Sequence, residues 1–498
     1  MLRLRTLLAG ITLLLSLSTL ASPSNPQEPI PPAPVTSLPG YTGTIEGQEA
    51  GHLKVNTASD GGEAFLFYWF AESGNGNDTS PIVIWLNGGP GSSSLDGFFM
   101  ENGPFYIDPS AMEKSSNFIK PRLYSWHKIA AYLAIDQPAG TGLSFSTTKA
   151  AAAQNEEEAT EQLYRGIQAF LDNHKDKNFR SRPLIIAGES FGGHYVPSIA
   201  TKILEMNKDP SNSTIKLVKI SLGNPWVDPA IQNPLMPVFA GEHGTLTYTQ
   251  FNQTKTMADN CTTQILKFKG YTVPKWVNDY CMKAVNIVVK DSQRNLYDFR
   301  RRGPDYVFKA LGQYLNRDDV RTAINAVSVA TKKWDDTNNW VADQFAAGEQ
   351  NSRSELFPTL IESMPVLIYS GDQDMCCNNF ATISWLQTID WSGKQDFLAT
   401  GQKDFFDEYD QAYQTVRSSG NLTLFTFPTA GHLVPMDQPK FAFDMMQNFV
   451  RQDSMSQWFF KLQDPVRTED LTGEGQIAWS PDLSGLIIKG QGFFLSAL

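Results

Sequence analysis

The sequence predicts an α/β fold: a mostly parallel central sheet with helices on both faces and a largely helical insertion. Three observations predict it. Short runs rich in aromatic and β-branched residues recur along the chain, several of them unbroken by polar residues, as in strands buried on both faces. A long amphipathic pattern stands between two such runs, and alternation of strand, helix and strand brings parallel strands together. Over residues 225–303 the rhythm changes and strand signals become sparse, which marks an insertion lying over the sheet.

Taken in order, residues 1–21 read MLRLRTLLAGITLLLSLSTLA, with Arg3 and Arg5 ahead of an apolar run and small residues at its end. This pattern is that of a secretory signal peptide. Its apolar run is shorter than the roughly 18 to 20 residues that cross a bilayer, and no later segment is apolar enough to do so. Residues 22–39 hold several prolines and few large apolar side chains, and read as an extended arm or removable propeptide. The catalytic body is expected over residues 40–450. FLFYWF (65–70) and PIVIWL (81–86), separated by a Gly/Asn/Asp turn, read as neighbouring strands. Residues 133–135, 184–187, 217–222, 366–369 and 422–427 add further strands. The clearest helix is 155–173, where Ala159, Leu163, Ile167 and Phe170 share a face and Glu156, Glu157 and Glu158 sit near the start, where the helix dipole favours them. The sheet pattern resumes at Val366 after the insertion, and residues 451–498 form a C-terminal extension.

Composition limits the function. With 41% hydrophobic and 19% charged residues the chain has material for a sizeable core, which excludes wholesale disorder. The 41 basic against 52 acidic residues give a net charge of −11, which repels a nucleic-acid backbone. Four cysteines with no CxxC pair leave little for metal chemistry, and neither metal nor organic cofactor is expected. Behind a signal peptide, Cys261 and Cys281 are the natural disulfide pair, because Gly270 and Pro274 let the stretch between them fold back. Cys376 and Cys377 are adjacent, and neighbouring cysteines rarely bond to each other without strain, so at least one is expected as a buried free thiol. Asn77, Asn212, Asn252 and Asn421 head N-glycosylation triplets, with a weaker one at Asn260. Secretion is expected, with a vacuole or lysosome as the alternative.

The chemistry centres on residues 184–190, LIIAGES, continuing FGGHYVP. An apolar strand running into Gly188-Glu189-Ser190-Phe191-Gly192 and then a helix is the context GxSxG requires: a sharp turn that holds the serine at its tip, with the next amide aimed at a developing oxyanion. A serine hydroxyl needs a base, and the chain has six histidines. His194 lies one turn along the elbow helix, too close in sequence to approach across a cleft. His174 sits among charged residues and is expected in solvent. His52 and His127 precede the strands that would carry a base at the sheet's carboxyl edge, and His243 falls in the insertion. His432 remains, in PTAGHLVP after the last strand. In the α/β-hydrolase order of serine, acid and histidine, the carboxylate comes from Asp372 or Asp374 in SGDQD, and spacing does not choose between them. The loop Asn87-Gly88-Gly89-Pro90-Gly91 follows the strand PIVIWL, and its glycines free backbone amides for a second oxyanion donor.

Together WLNGGPGSSS, GESFGGHYVP, SGDQD and PTAGHLVP resemble the serine carboxypeptidases, the group that includes carboxypeptidase Y. FLFYWF, DQPAGTGLSFS, SLGNPWVDP, YLNRDDVRTAI and DWSG extend the likeness over most of the chain. The resemblance implies an α/β-hydrolase fold whose insertion caps the active site. It implies Ser190 as nucleophile, His432 as base and Asp374 as acid, with the Gly89 and Phe191 amides as the oxyanion hole. It further implies that Trp85, Asn87, Glu101 and Glu189 bind the free carboxylate of a peptide or protein C-terminus. Two glutamic acids can bond a third carboxylate only by sharing protons, so binding should favour acid. Where the family has cysteine after GGPG this chain has Ser92, and Cys377 matches a family thiol near the substrate, which implies sensitivity to mercurials. Acyl transfer on the same fold and a non-catalytic binding role are the competing classes. The full triad set argues against the latter.

Overall fold

The computed structural model describes residues 31–76, 79–303, 308–401, 403–406 and 412–451. The expected signal peptide, residues 22–30 of the arm, Asn77 and the C-terminal extension beyond residue 451 lie outside the described residues. Six apolar strands run parallel at the centre of one large sheet, in the spatial order Ala131–Ile135, Ile82–Leu86, Leu184–Glu189, Leu217–Gly223, Val366–Gly371 and Leu422–Phe427. All but the first two residues of Leu217–Gly223 are buried, as expected for strands covered on both faces. Antiparallel strands close both ends: Gln48–Thr57 and Glu63–Ala71 on one side, Ala412–Ser419 and Lys403–Phe406 on the other. This is the α/β-hydrolase architecture expected from the sequence.

Three sequence expectations need correction. The runs at 65–70 and 81–86 are strands, but Ala131–Ile135 lies between them, antiparallel to one and parallel to the other. The intervening residues 72–81 are long enough to cross two strand spacings of about 5 Å each. Ile82–Leu86, fully buried, thereby gains a parallel partner on each edge. The described part of the Pro-rich arm also belongs to the folded body, which begins before Gly40. Ala33–Pro34 pairs with Gln48–Thr57, and Val35 and Leu38 are buried. Two apolar side chains suffice to hold a short proline-rich segment onto a sheet edge.

The helix expected over 155–173 spans Glu156–Asn173, with the Asn155 side chain accepting from the Glu158 amide at 2.8 Å. His174 at its end is not in solvent. It is 3% exposed, 2.9 Å from Glu49 through Nε2 and stacked on Phe179, because a carboxylate and an aromatic ring cover its two aspects.

Between Gly223 and Val366 no described residue joins the central sheet. Helices Pro229–Gln232, Leu235–Glu242, Tyr248–Leu266 and Lys275–Ser292 occupy the expected insertion, and the helical character continues past Gly303 through Lys309–Leu315, Asp318–Ala323, Asn339–Phe345 and Phe357–Ser363. Cys261 and Cys281 form a disulfide between the two longest insertion helices, 20 residues apart in sequence. Closing a loop of that size stabilises by about 3 kcal/mol. Asn252 and Asn260 are exposed on Tyr248–Leu266, while Asn212 and Asn421 are half-buried. No described helix is long and apolar enough to cross a membrane.

Candidate active site

The order of the parallel strands places the site. From Ile82–Leu86 the chain moves outward to Ala131–Ile135, then returns to Leu184–Glu189 on the opposite edge of Ile82–Leu86. The loops at the carboxyl ends of these two neighbours diverge, and such a switch point opens a crevice. The loop after Ile82–Leu86 carries GGPG; the turn after Leu184–Glu189 carries Ser190.

Ser190 adopts φ 60°, a left-handed conformation that costs a non-glycine residue about 1–3 kcal/mol and is held only by its surroundings. Its amide donates to Gly223 O at 3.0 Å, and its carbonyl accepts from Gly193 and Trp226, each at 2.8 Å. The helix Gly192–Met206 starts immediately after. A Cβ on Gly88 would lie 2.4 Å from the Phe191 nitrogen and 2.9 Å from Ser190 Cβ, so only glycine lets the two loops meet. Neither the Gly89 nor the Phe191 amide is engaged in the backbone bonding of these turns. Asp136 holds the first loop from behind, accepting from Ser93 Oγ, the Ser94 amide and the Leu143 amide at 2.7–2.8 Å.

Two further strand ends supply a histidine and a carboxylate. His432 Nδ1 lies 2.6 Å from Asp374 Oδ2, with both side chains buried. Asp374 is held by three other donors: Asn224 Nδ2 at 2.8 Å, the Cys376 amide at 2.9 Å and the Cys377 amide at 3.3 Å. Of the two aspartates left open by spacing, Asp374 is the one joined to histidine. Asp372 instead accepts from the Thr429 amide and Gln373 Nε2, bracing the turn. His432 is fixed by donation of its amide to Tyr297 O at 2.8 Å and by the Tyr297 ring, 4.8 Å away. Cys377, Asp374 and His432 bring three metal-ligand-type atoms within 4.8 Å of one another. Cys377 is a buried free thiol, pushed up by burial and by the neighbouring Cys376.

Asn87, Gly88, Gly89, Glu189, Ser190 and His432 line one cavity of roughly 230 Å³, together with Ser92, Asp96, Tyr297, Phe308, Asp336, Thr337 and Leu433. Of the four residues implied as carboxylate binders, Asn87 and Glu189 face this cavity. Trp85 and Glu101 stand behind them: Trp85 Nε1 donates to Asn87 Oδ1 at 2.7 Å, and Asn87 Nδ2 donates to Glu101 Oε1 at 3.3 Å. Glu101 and Glu189 are both buried and act on each other electrostatically, and two such carboxyl groups can bond only through a retained proton. Burial first, and then Glu101, push Glu189 well above the usual carboxylate range; burial also raises Glu101.

The family model described as "Serine carboxypeptidase" matches residues 39–452. The chain belongs to the serine carboxypeptidase family. It is 32% identical over 448 residues to "Serine carboxypeptidase S10 family member 2" of Dictyostelium discoideum, covering 85% of this chain and 76% of that one. To "Carboxypeptidase Y homolog A" of Chaetomium globosum it is 32% identical over 414 residues, covering 80% and 70%. Its fold is similar to the crystal structure of Kex1(Δ)p, a prohormone-processing carboxypeptidase from Saccharomyces cerevisiae, with a TM-score of 0.70, 22% identity and coverage of 83% and 94%. The protein is thus a serine-type carboxypeptidase, a hydrolase. Ser190, Asp374, His432, Gly89 and Phe191, named from motifs, all converge on the carboxypeptidase cavity or its immediate wall.

Sequence reasoning missed Asn224, Tyr297, Asp96 and Asp336. Asn224 could have been found as the polar residue directly after the strand Leu217–Gly223, at the edge where the other site residues stand. The remaining three come from helical or loop segments whose spatial partners no local pattern identifies.

Proposed function

We propose that this carboxypeptidase removes the last residue of peptides and proteins through an acyl-enzyme at Ser190, and that acid favours it. Ser190 Oγ attacks the carbonyl of the last peptide bond while His432 takes the hydroxyl proton. Asp374 orients the imidazole and stabilises its cation, and the Gly89 and Phe191 amides receive the oxyanion. His432 then protonates the leaving amine, and a water that it deprotonates cleaves the acyl-enzyme. The observation that carries this reading is the 2.6 Å Asp374–His432 bond at the wall of a cavity that also holds Ser190 and Glu189.

Asn87 and Glu189, backed by Trp85 and Glu101, bind the substrate carboxylate. That carboxylate has no donor, so a proton on the glutamic pair must bridge to it. Because the folded pair is raised by burial, the proton is present in acid and lost as pH rises through the raised range, and affinity falls with it. The test is release of free amino acid from a blocked dipeptide and from its C-terminal amide, at acidic and neutral pH, with wild type and Ser190→Ala. Release that requires Ser190 and the free carboxylate, with a Michaelis constant that rises with pH, is expected. A folded wild type that releases nothing would overturn the assignment; a pH-independent Michaelis constant would overturn the shared-proton account alone.

We further propose entry into the secretory route and export, supported by the N-terminal pattern, the Cys261–Cys281 disulfide and exposed Asn252. Mass loss on endoglycosidase treatment and an N-terminus beyond residue 21 in the medium are the expected results. Retention of the protein in a vacuole or lysosome would contradict export.

A further inference from the structure

The helices Tyr248–Leu266 and Lys275–Ser292 form a hairpin whose joining turn passes through Gly270 at φ 84°. The turn is open to solvent: a Cβ added to Gly270 would meet nothing within 4 Å. The hairpin has a small core of its own, in which Cys261, Ile265, Val273, Val277 and Cys281 pack together. Its disulfide ties the helices just behind the turn, and the Val273 amide donates to Asn351 Oδ1 at 2.9 Å while the Val273 carbonyl accepts from the Gly348 amide at 2.8 Å. Three large side chains at this end lie outside that core: Leu266 is 56%, Tyr271 78% and Trp276 53% exposed. Single exposed apolar residues are ordinary, but a leucine, a tyrosine and a tryptophan crowded at one end of a rigid hairpin mark a surface that meets something.

The charge at this end has one sign. Residues 264–276 hold Lys267, Lys269 and Lys275 and no acidic residue, on a chain whose net charge is −11. All three lysines are exposed. Lys275 pairs with Asp279 at 2.7 Å, and Asp343 and Glu349 also act on it. Among the described residues Lys267 and Lys269 have no carboxylate partner; Lys267 donates to Gln264 Oε1 at 2.7 Å. Amphipathic rings beside unpaired lysines suit the boundary layer of a bilayer, where Trp and Tyr settle at headgroup depth and lysines meet the charge of anionic lipids. We propose that this end of the hairpin docks the enzyme on an anionic lipid surface, with Leu266, Tyr271 and Trp276 entering the headgroup layer and Lys267 and Lys269 facing the lipid charge. Three side chains fall short of the roughly 20–30 residues a side that a stable protein interface takes, whereas a few inserted side chains and two cations give reversible binding to a membrane. The disulfide and the Val273 bonds hold the turn in place beforehand, so little ordering opposes the contact. Asn252 and Asn260 lie about 21 and 9 Å back along their helix from Leu266, at 1.5 Å per residue, so glycans there stand behind the turn. No residue of 264–276 lines the reaction cavity, and docking therefore leaves the chemistry untouched.

The test is cosedimentation of the whole enzyme with vesicles of phosphatidylcholine mixed with phosphatidylserine, against vesicles of phosphatidylcholine alone, at mildly acidic pH. Binding is expected on the mixed vesicles, weaker on phosphatidylcholine, and falling as salt is raised. The double variant Lys267→Glu and Lys269→Glu should weaken it by about 25-fold or more, at about fivefold for each charge lost. Tyr271→Ser and Trp276→Ser should each weaken it by about tenfold. All of these should hydrolyse a soluble blocked dipeptide within about twofold of wild type, since exposed positions outside the hairpin core are not needed for folding. Folded wild type that stays in the supernatant, binding that is indifferent to phosphatidylserine, or binding that these variants leave unchanged would overturn the proposal. A dimer that Trp276→Ser dissociates, with no vesicle binding, would overturn it in favour of a second copy of this chain as the occupant.

Discussion

Asn224 is a residue whose contribution can be worked out from its bonds alone. Its Nδ2 donates to Asp374 Oδ2 at 2.8 Å, and its Oδ1 accepts from the Gly371 amide at 3.2 Å, so it ties the acid to the strand from which that acid emerges. Asn224 adopts φ 39°, and the informative replacement is therefore Asn224→Gly, which deletes both bonds without backbone strain. A hydrogen bond to a charged acceptor contributes about 1.5–3 kcal/mol. If that loss falls on the imidazolium-bearing transition state, kcat drops about 10- to 150-fold. Asp374 keeps the Cys376 and Cys377 amides, so the carboxylate is retained and only its aim loosens. Asn224 does not line the cavity, and KM should stay within about twofold. The assay is steady-state hydrolysis of a blocked dipeptide, with circular dichroism to confirm folding. A kcat within about twofold of wild type, or a loss expressed wholly in KM, would refute the positioning role.

Four further outcomes follow from the same contacts. Glu189→Gln places a permanent donor where a shared proton stood; the rise of KM with pH, about tenfold per unit above the pair's raised range in wild type, should flatten, as a KM titration of both proteins would show. Glu156, buried, is pushed up by desolvation but pulled down to about 2 by His194 and Arg353. Glu156→Gln should cost about 3–5 kcal/mol in urea unfolding at pH above the group's ordinary value of 4.5, with the difference fading as pH falls toward 2. Ser92 and Thr337 bridge in antiparallel fashion with hydroxyls 2.9 Å apart, at the position where the family has a cysteine. The pair Ser92→Cys and Thr337→Cys should oxidise to a disulfide and add about 2–4 kcal/mol, read as a raised Tm lost on reduction. A mercurial should inactivate wild type by seating on Cys377 beside Asp374 and His432, and Cys377→Ala should resist it; equal sensitivity would locate the reactive thiol elsewhere.

Ser190 and the glycine loop that faces it were legible in the sequence because each depends on a local rule, and His432 because the other five histidines were set aside. An apolar run entering GxSxG dictates a strand, a sharp turn and a helix within a few residues, and the bond from Asn155 to Glu158 that starts the first long helix is equally local. The six parallel strands were legible for the same reason, since Ile82–Leu86 is buried throughout and its composition shows it, whereas the edge strands Gln48–Thr57, Lys403–Phe406 and Ala412–Ser419 were not read from the sequence. Which strand lies beside which was not. The Ala131–Ile135 strand enters between two runs adjacent in sequence, since pairing is chosen by how six apolar strands best cover one another. His174 misled for a related reason: the partner that buries it, Glu49, is far away along the chain.

What the sequence determined by itself was the chemistry that spacing can carry: a serine on an elbow, a histidine and an aspartate after later strands, and an acidic carboxylate clamp named through family motifs. Tertiary structure alone decided which aspartate meets His432, that Asn224 holds it, and that Trp85 and Glu101 stand behind Asn87 and Glu189. The physical reason is distance along the chain. Turns and caps are settled by neighbours within one helical turn, whereas a site at a sheet's carboxyl edge is assembled from loops that meet only after the strands have chosen their order.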